Sequence, residues 1–170
     1  MKTQTIVKLK FQILTVLFLI SSAGLKAQQV TNFTGTWIRN TDKCDIGDHL
    51  VINTVPVRVV INQDEKQIEI KRVQIHEQGD TAAYTEKIKF DGSAGKSVVR
   101  QNSNKSSTGA WSADHKQFLE TANYTDDQGN PTQKAKETWS LSEDGKTLTF
   151  QIVLVAGDKD YELTEVFDKN

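Results

Sequence analysis

The chain lacks most of the residues that would cross-link it or hold a metal. One cysteine, Cys44, stands in 170 residues, which excludes an intramolecular disulfide and leaves stability to packing and backbone pairing. Cys44 reads as a small apolar plug, with availability to a second chain as the alternative. Histidine is scarce too. His49, His76 and His115 are the whole supply, they fall in separate turns or strand ends, and no two have ligand spacing. Asp42, Asp45, Asp48 and His49 cluster locally, but the alternation and glycine of a calcium loop are missing, so they read as solvated loop charge. No metal and no cofactor is expected.

Catalytic and nucleic-acid signatures are also absent. There is no nucleophile elbow, no glycine-rich phosphate loop and no cysteine pair, so no catalytic residue is assigned. Basic charge is not in excess, with 21 Lys and Arg against 22 Asp and Glu. No basic stripe with interleaved aromatics appears, which excludes nucleic acid as a partner. Nor does any apolar run reach the roughly 20 residues that span a bilayer.

The first positive feature is the N-terminus. Lys2, Lys8 and Lys10 precede an apolar run from Phe11 to Ile20, then small residues from Ser21 to Gly24, with Ala27 before Gln28. That order reads as a signal peptide over residues 1–27, and hence as export to the periplasm or the medium. Its removal takes four lysines and no acids, so the net charge moves from −1 to −5. No cysteine lies near the boundary to carry a lipid, and no membrane insertion is expected once the leader is gone. About 143 residues remain, enough for one core. Residues 28–170 are read as one domain.

That domain has an all-β signature: short runs of Thr, Val, Ile and aromatics, regular turn residues and only two prolines. Tight turns are expected at Asn62–Lys66, Asp91–Ser93, Ala113–Lys116 and Ser142–Lys146. Between the turns lie about ten strand candidates, from Phe33–Arg39 to Tyr161–Asp168. Short connections imply an up-and-down antiparallel meander. A meander of this length hides its two edges by closing, so a barrel is expected. Trp111-Ser112-Ala113-Asp114-His115-Lys116 echoes Trp139-Ser140-Leu141-Ser142-Glu143-Asp144-Gly145-Lys146, by duplication or by convergent hairpin chemistry. Asn40–Pro56 lacks either periodicity and reads as a long connection that caps the barrel mouth or wanders over the surface.

Side chains alternate across a strand, so residues two apart share a face. Four strands place an acid among apolar neighbours on one face: Tyr84, Glu86, Ile88, Phe90; Phe118, Glu120, Ala122, Tyr124; Ala135, Glu137, Trp139, Leu141; and Tyr161, Leu163, Glu165, Phe167. Arg100 follows Val98 in the same way. If these faces point inward, the interior holds carboxylates and at least one guanidinium beside aromatic rings, which a structural core does not need. The alternative is a one-residue bulge that turns them outward. In Lys66–His76 the phase of Ile68 and Ile70 gives way to that of Val73 and Ile75, and a bulge near Lys71 and Arg72 is expected. Buried carboxylates must pair, hydrate or meet a ligand. The candidate ligand-binding residues are therefore Trp37, Tyr84, Glu86, Arg100, Glu120, Tyr124, Glu137, Trp139 and Glu165.

Asn32-Phe33-Thr34-Gly35-Thr36-Trp37 resembles the opening strand of lipocalins and fatty-acid-binding proteins. Together with Asn40, Lys43 and the Trp139–Thr149 run, it looks like small exported bacterial lipocalin-like, or calycin-type, proteins. The resemblance implies a barrel whose closed end is plugged by Trp37 and Phe33, with Gly35 bending or packing closely. It adds little about function. The later Thr-Asp-Tyr-like turn of true lipocalins is missing, and no arginine from the last strands is available to stack on the tryptophan.

Three functions stay open. The leading one is an exported, non-catalytic binder of a small polar or amphipathic molecule. The second is an inhibitor or adaptor gripping another protein through the 40–56 loop. The third is a hydrolase using Glu120 and Glu137 as a carboxylate pair.

Overall fold

The computed structural model describes residues 30–47, 55–75, 79, 81–99 and 103–170. The expected leader, the tip of the 40–56 connection and Arg100 lie outside these described residues. Ten strands follow in chain order: β1 (Gly35–Arg39), β2 (Arg58–Gln63), β3 (Gln67–Ile75), β4 (Thr81–Lys89), β5 (Gly95–Val98), β6 (Asn104–Trp111), β7 (Phe118–Thr125), β8 (Pro131–Leu141), β9 (Thr147–Ala156) and β10 (Lys159–Lys169). Among the described residues one 3₁₀ turn, Thr41–Lys43, interrupts them after β1. The strands form one sheet in the order β4-β3-β2-β1-β10-β9-β8-β7-β6-β5. The expected all-β, up-and-down antiparallel barrel is the observed fold.

The ends of that order, β4 and β5, return to each other and nearly close the wall. Gly95 of β5 makes the approach possible, because a Cβ there would lie 2.1 Å from the carbonyl oxygen of Lys87 in β4. One strand further, Gly109 of β6 leaves room for Ile88 of β4 and the ring of Phe118, since its Cβ would lie 2.7 Å and 2.2 Å from their carbons. Glycine within a strand commonly marks such a close approach.

The interior is stacked in layers along the barrel axis, because each strand alternates strictly between wall faces. The floor is apolar. Phe33, Trp37, Phe118, Trp139, Phe150 and Phe167 are buried there with Ile61, Ile68, Ile70, Ile88 and Leu148. Its rings run around the barrel, edge to face from Trp111 to Phe118 at 5.1 Å and from Phe118 to Trp139 at 5.4 Å, then tilted from Trp139 to Phe150 at 4.9 Å and from Phe150 to Phe167 at 5.4 Å between centroids. Trp37 is the plug the resemblance implied: its indole N–H donates to the Phe33 carbonyl at 3.0 Å. A Cβ on Gly35 would sit 3.3 Å from that nitrogen, so the glycine does pack closely. The cation over the tryptophan comes from a lysine of the last strand, with Lys169 Nζ 5.3 Å from the Trp37 ring centroid.

The two echoing segments fold into the same turn. Ser112 and Ser142 hydroxyls each donate to the aspartate two residues on at 2.6 Å, and each accepts the backbone N–H five residues on. In each copy the fourth residue, His115 with φ 54° or Gly145 with φ 67°, takes the left-handed conformation. The expected bulge near Lys71 and Arg72 is absent. The β3 register runs unbroken against both β2 and β4, and the inward row is Ile68, Ile70, Arg72, Gln74. Val73, the residue that suggested a slip, is buried from the outer side instead.

Candidate functional site

The second layer of the interior is ionic. Glu86, Glu120 and Glu137 sit one inward position beyond Ile88, Phe118 and Trp139 on β4, β7 and β8, and Arg72 sits one position beyond Ile70 on β3. The carboxylate rows therefore face inward. Glu86 and Glu120 are 1 % exposed, Lys105 2 % and Arg72 3 %. Charges so dry persist only when paired and hydrogen-bonded.

Arg72 makes most of the pairing. Its Nε lies 3.0 Å from Glu86 Oε1, and its Nη2 lies 2.6 Å from Glu137 Oε2 and 3.8 Å from Glu120 Oε2. The guanidinium carbon is also 5.0 Å from the Phe150 ring centroid and 5.8 Å from that of Trp139, so the aromatic floor supports the cation from below. Lys105 completes the layer by pairing with Glu86 and, at 2.8 Å, with Glu120. Trp139 donates its indole N–H to Glu137 at 3.1 Å.

Neither cation belonged to the expected site. Arg72 carried a signal that was misread: its strand keeps one phase from Ile68 to Gln74, but apolar Val73 and Ile75 pointed to the other. Lys105 carried none, because Asn104–Gly109 contains no large apolar residue to mark a face. Its orientation is set by the ladder, which places Lys105 opposite Tyr124, Ser107 opposite Ala122 and Gly109 opposite Glu120.

The layer is electrostatically unequal. Glu120 and Glu137 stand directly opposite each other on β7 and β8, a like-charge arrangement that is unfavourable between neighbouring strands. Burial pushes the Glu120 carboxyl up to about 7; Lys105 opposes this, and Glu137 and Glu86 add to it. For Glu137 burial is outweighed by Arg72 and Lys105, which hold it below the usual carboxylate value. Burial also disfavours charge on Arg72 and Lys105, but the surrounding carboxylates win and keep both protonated.

Above the ionic layer the barrel is hollow. A cavity of about 310 Å³ is bounded at its base by Arg72, Glu137 and Glu165. Tyr84, Tyr124, Thr132 and Gln133 form polar parts of its wall, while Ala135, Ile152, Leu154 and Leu163 form apolar ones. Small Ala135 faces small Ala122 across the β7–β8 ladder, which leaves space where larger side chains would fill the barrel. Val55, Pro56, Val99 and Ser103 also line it, so the chain returning from the 40–56 connection reaches the cavity. Burial keeps both tyrosines protonated, raising Tyr124 to about 12 and Tyr84 further.

Of the nine expected ligand-binding residues, Tyr84, Tyr124, Glu137 and Glu165 line the cavity. Glu86 and Glu120 lie in the ionic layer, while Trp37 and Trp139 belong to the floor. Arg100 lies outside the described residues. The carboxylate pair weighed for hydrolysis is split, because Glu137 bounds the cavity and Glu120 does not. Among the described residues no group of three or more His, Cys, Asp and Glu side chains is placed to hold a metal ion. Cys44 is half-buried, its sulfur 3.2 Å from the Asn40 carbonyl oxygen and 3.3 Å from the Val166 nitrogen, and burial raises its pKa. The next residue, Asp45, pins the connection to β10 through paired backbone bonds with Thr164.

The ten-stranded, nearly closed antiparallel wall is consistent with a calycin-like fold. Comparison with known proteins finds no matching family model, no matching curated protein and no matching solved structure.

Proposed function

We propose that this chain is a non-catalytic binding protein for a small amphipathic molecule, exported through its leader to the periplasm or the medium. The observation that carries the binding reading is the cavity itself. About 310 Å³ lies at the low end of the roughly 300–1,000 Å³ of small-molecule sites. Its wall combines aliphatic side chains with a few convergent polar groups, the usual composition of such sites. The layer beneath explains why the hollow keeps its shape: Arg72 ties β3 to β4 and β8, and Lys105 ties β6 to β4 and β7. A site is best held by rigid strands whose side chains are locked by such partners.

The test fills the hollow. Ala135→Phe projects a ring into the cavity, at a cost of about 1–3 kcal/mol if the core is strained. Ligand-observed NMR with a panel of small amphipathic compounds is expected to show binding to the parent and at least tenfold weaker binding to a folded Ala135→Phe variant. Equal binding to both proteins, or none to the parent, overturns the reading.

A further inference from the structure

Resting on that cavity, we infer that its ligand is uncharged and carries a carbonyl-type oxygen, as in a ketone, an amide or an ester, on a compact apolar body. The first support is that the charges at the cavity base are already matched to one another. Glu137 is paired with Arg72 in the same lining, Oε2 to Nη2 at 2.6 Å. Arg72 also holds Glu86 at 3.0 Å, and Lys105 holds Glu86 and Glu120. Glu165, the other acid of the lining, has a partner too. A ligand ammonium or carboxylate would give up its water here and find every counter-ion taken, and burying an ion unpaired is costly. A neutral polar group avoids that cost.

The second support is what the lining leaves over, which is hydrogen-bond donors. Tyr84 stands opposite Arg72 in the β3–β4 ladder, and Tyr124 stands opposite Lys105 on one side and Gln133 on the other. Both tyrosines line the cavity, and neither hydroxyl makes a hydrogen bond among the described residues. Burial holds both protonated, so both can donate. Arg72 adds a third donor: carboxylates take its Nε and Nη2, and no partner among the described residues takes Nη1.

Donors lacking acceptors are the complement of an oxygen that has two lone pairs and no proton of its own. A plain hydrocarbon would strip water from these donors and put nothing in its place, which costs the full desolvation of each. The apolar body of the ligand is received by Ile152, Leu154 and Leu163 on the other wall. A small ketone, amide or ester matches both halves of the site.

Four compounds of similar shape separate the classes: 4-phenylbutan-2-one, 4-phenylbutan-2-amine, 3-phenylpropionate and butylbenzene. Their affinities for the purified mature protein are measured near pH 7 by ligand-observed NMR, with the Ala135→Phe variant as the filled-cavity control. The ketone is expected to bind at least tenfold more tightly than the amine or the carboxylate. It should also bind more tightly than butylbenzene, and that advantage should fall at least threefold in a Tyr84→Phe/Tyr124→Phe double variant. If the amine or the carboxylate binds as well as the ketone and Ala135→Phe abolishes it, the inference of a neutral ligand falls while the binding cavity stands. A ketone advantage over butylbenzene that is missing, or is unchanged in the folded double variant, also overturns the inference. The ranking of the four compounds on the parent protein decides the matter if that variant does not fold. Failure of all four, together with failure of the wider panel, overturns the cavity reading as well.

Discussion

At the residue scale, Glu120 sets a pH dependence whose sign can be worked out. Its folded pKa of about 7 lies above the ordinary 4.5, with burial the largest cause. Between those values the native protein holds a proton that the unfolded chain has released. Stability therefore falls as pH rises from about 4.5 to about 7, by at most about 3 kcal/mol. Glu137 acts oppositely, because its lowered pKa contributes stability above the ordinary carboxylate value that is lost as pH falls through the folded one. Chemical denaturation from pH 4 to 8 should show a decline over the upper window, flattened in Glu120→Gln, which keeps an acceptor near Lys105. A decline of the same size in the variant would assign the effect elsewhere. Alternation alone placed Glu86, Glu120, Glu137 and Glu165 on faces shared with apolar residues, and burial in the structure decided that those faces point inward. Their counter-ions were not legible, since a strand's own pattern says nothing about which charge waits on another strand.

At the element scale, strand edges are the exposed liability of an open meander, and here β4 and β5 cover each other at Gly95. A Cβ at that position would lie 2.1 Å from a backbone oxygen, so Gly95→Ala forces the two strands apart and no side-chain rotation relieves it. The expected cost is about 1–3 kcal/mol, as for other overpacked sites. Hydrogen exchange should report faster opening in β4 and β5 than in β9 or β10. Unchanged protection there would mean that the wall is not held closed at this point. The hairpins were readable because their chemistry is local: one serine and one aspartate satisfy the turn, and the fourth residue takes φ > 0. The phase of β3 was misread for the complementary reason. Val73 finds cover on the outer face of the wall, and a buried outward residue is indistinguishable in sequence from a register slip.

At the scale of the whole molecule, export and barrel form separate claims. The leader rests on Lys2, Lys8 and Lys10 followed by the apolar run from Phe11 to Ile20. Intact-mass analysis of protein recovered outside the cytoplasm should give a mature chain beginning at Gln28; retention of Met1 in that fraction would remove the leader from the account. For the remainder, the amino-acid sequence by itself determined the strand number, the antiparallel order, the hairpin turns and the grouping of each acid with apolar neighbours on one strand face. Each of these follows from a period of two, a local turn or a short motif. Only the tertiary structure decided that the acids point inward, that Arg72 and Lys105 bind them, that of these groups Arg72 and Glu137 bound a hollow while Glu86, Glu120 and Lys105 do not, and that Tyr84 and Tyr124 border that hollow. Those facts depend on barrel closure, which brings residues of β3, β4, β6, β7 and β8 within a few ångströms. Charge pairing acts through space and leaves no period in the chain.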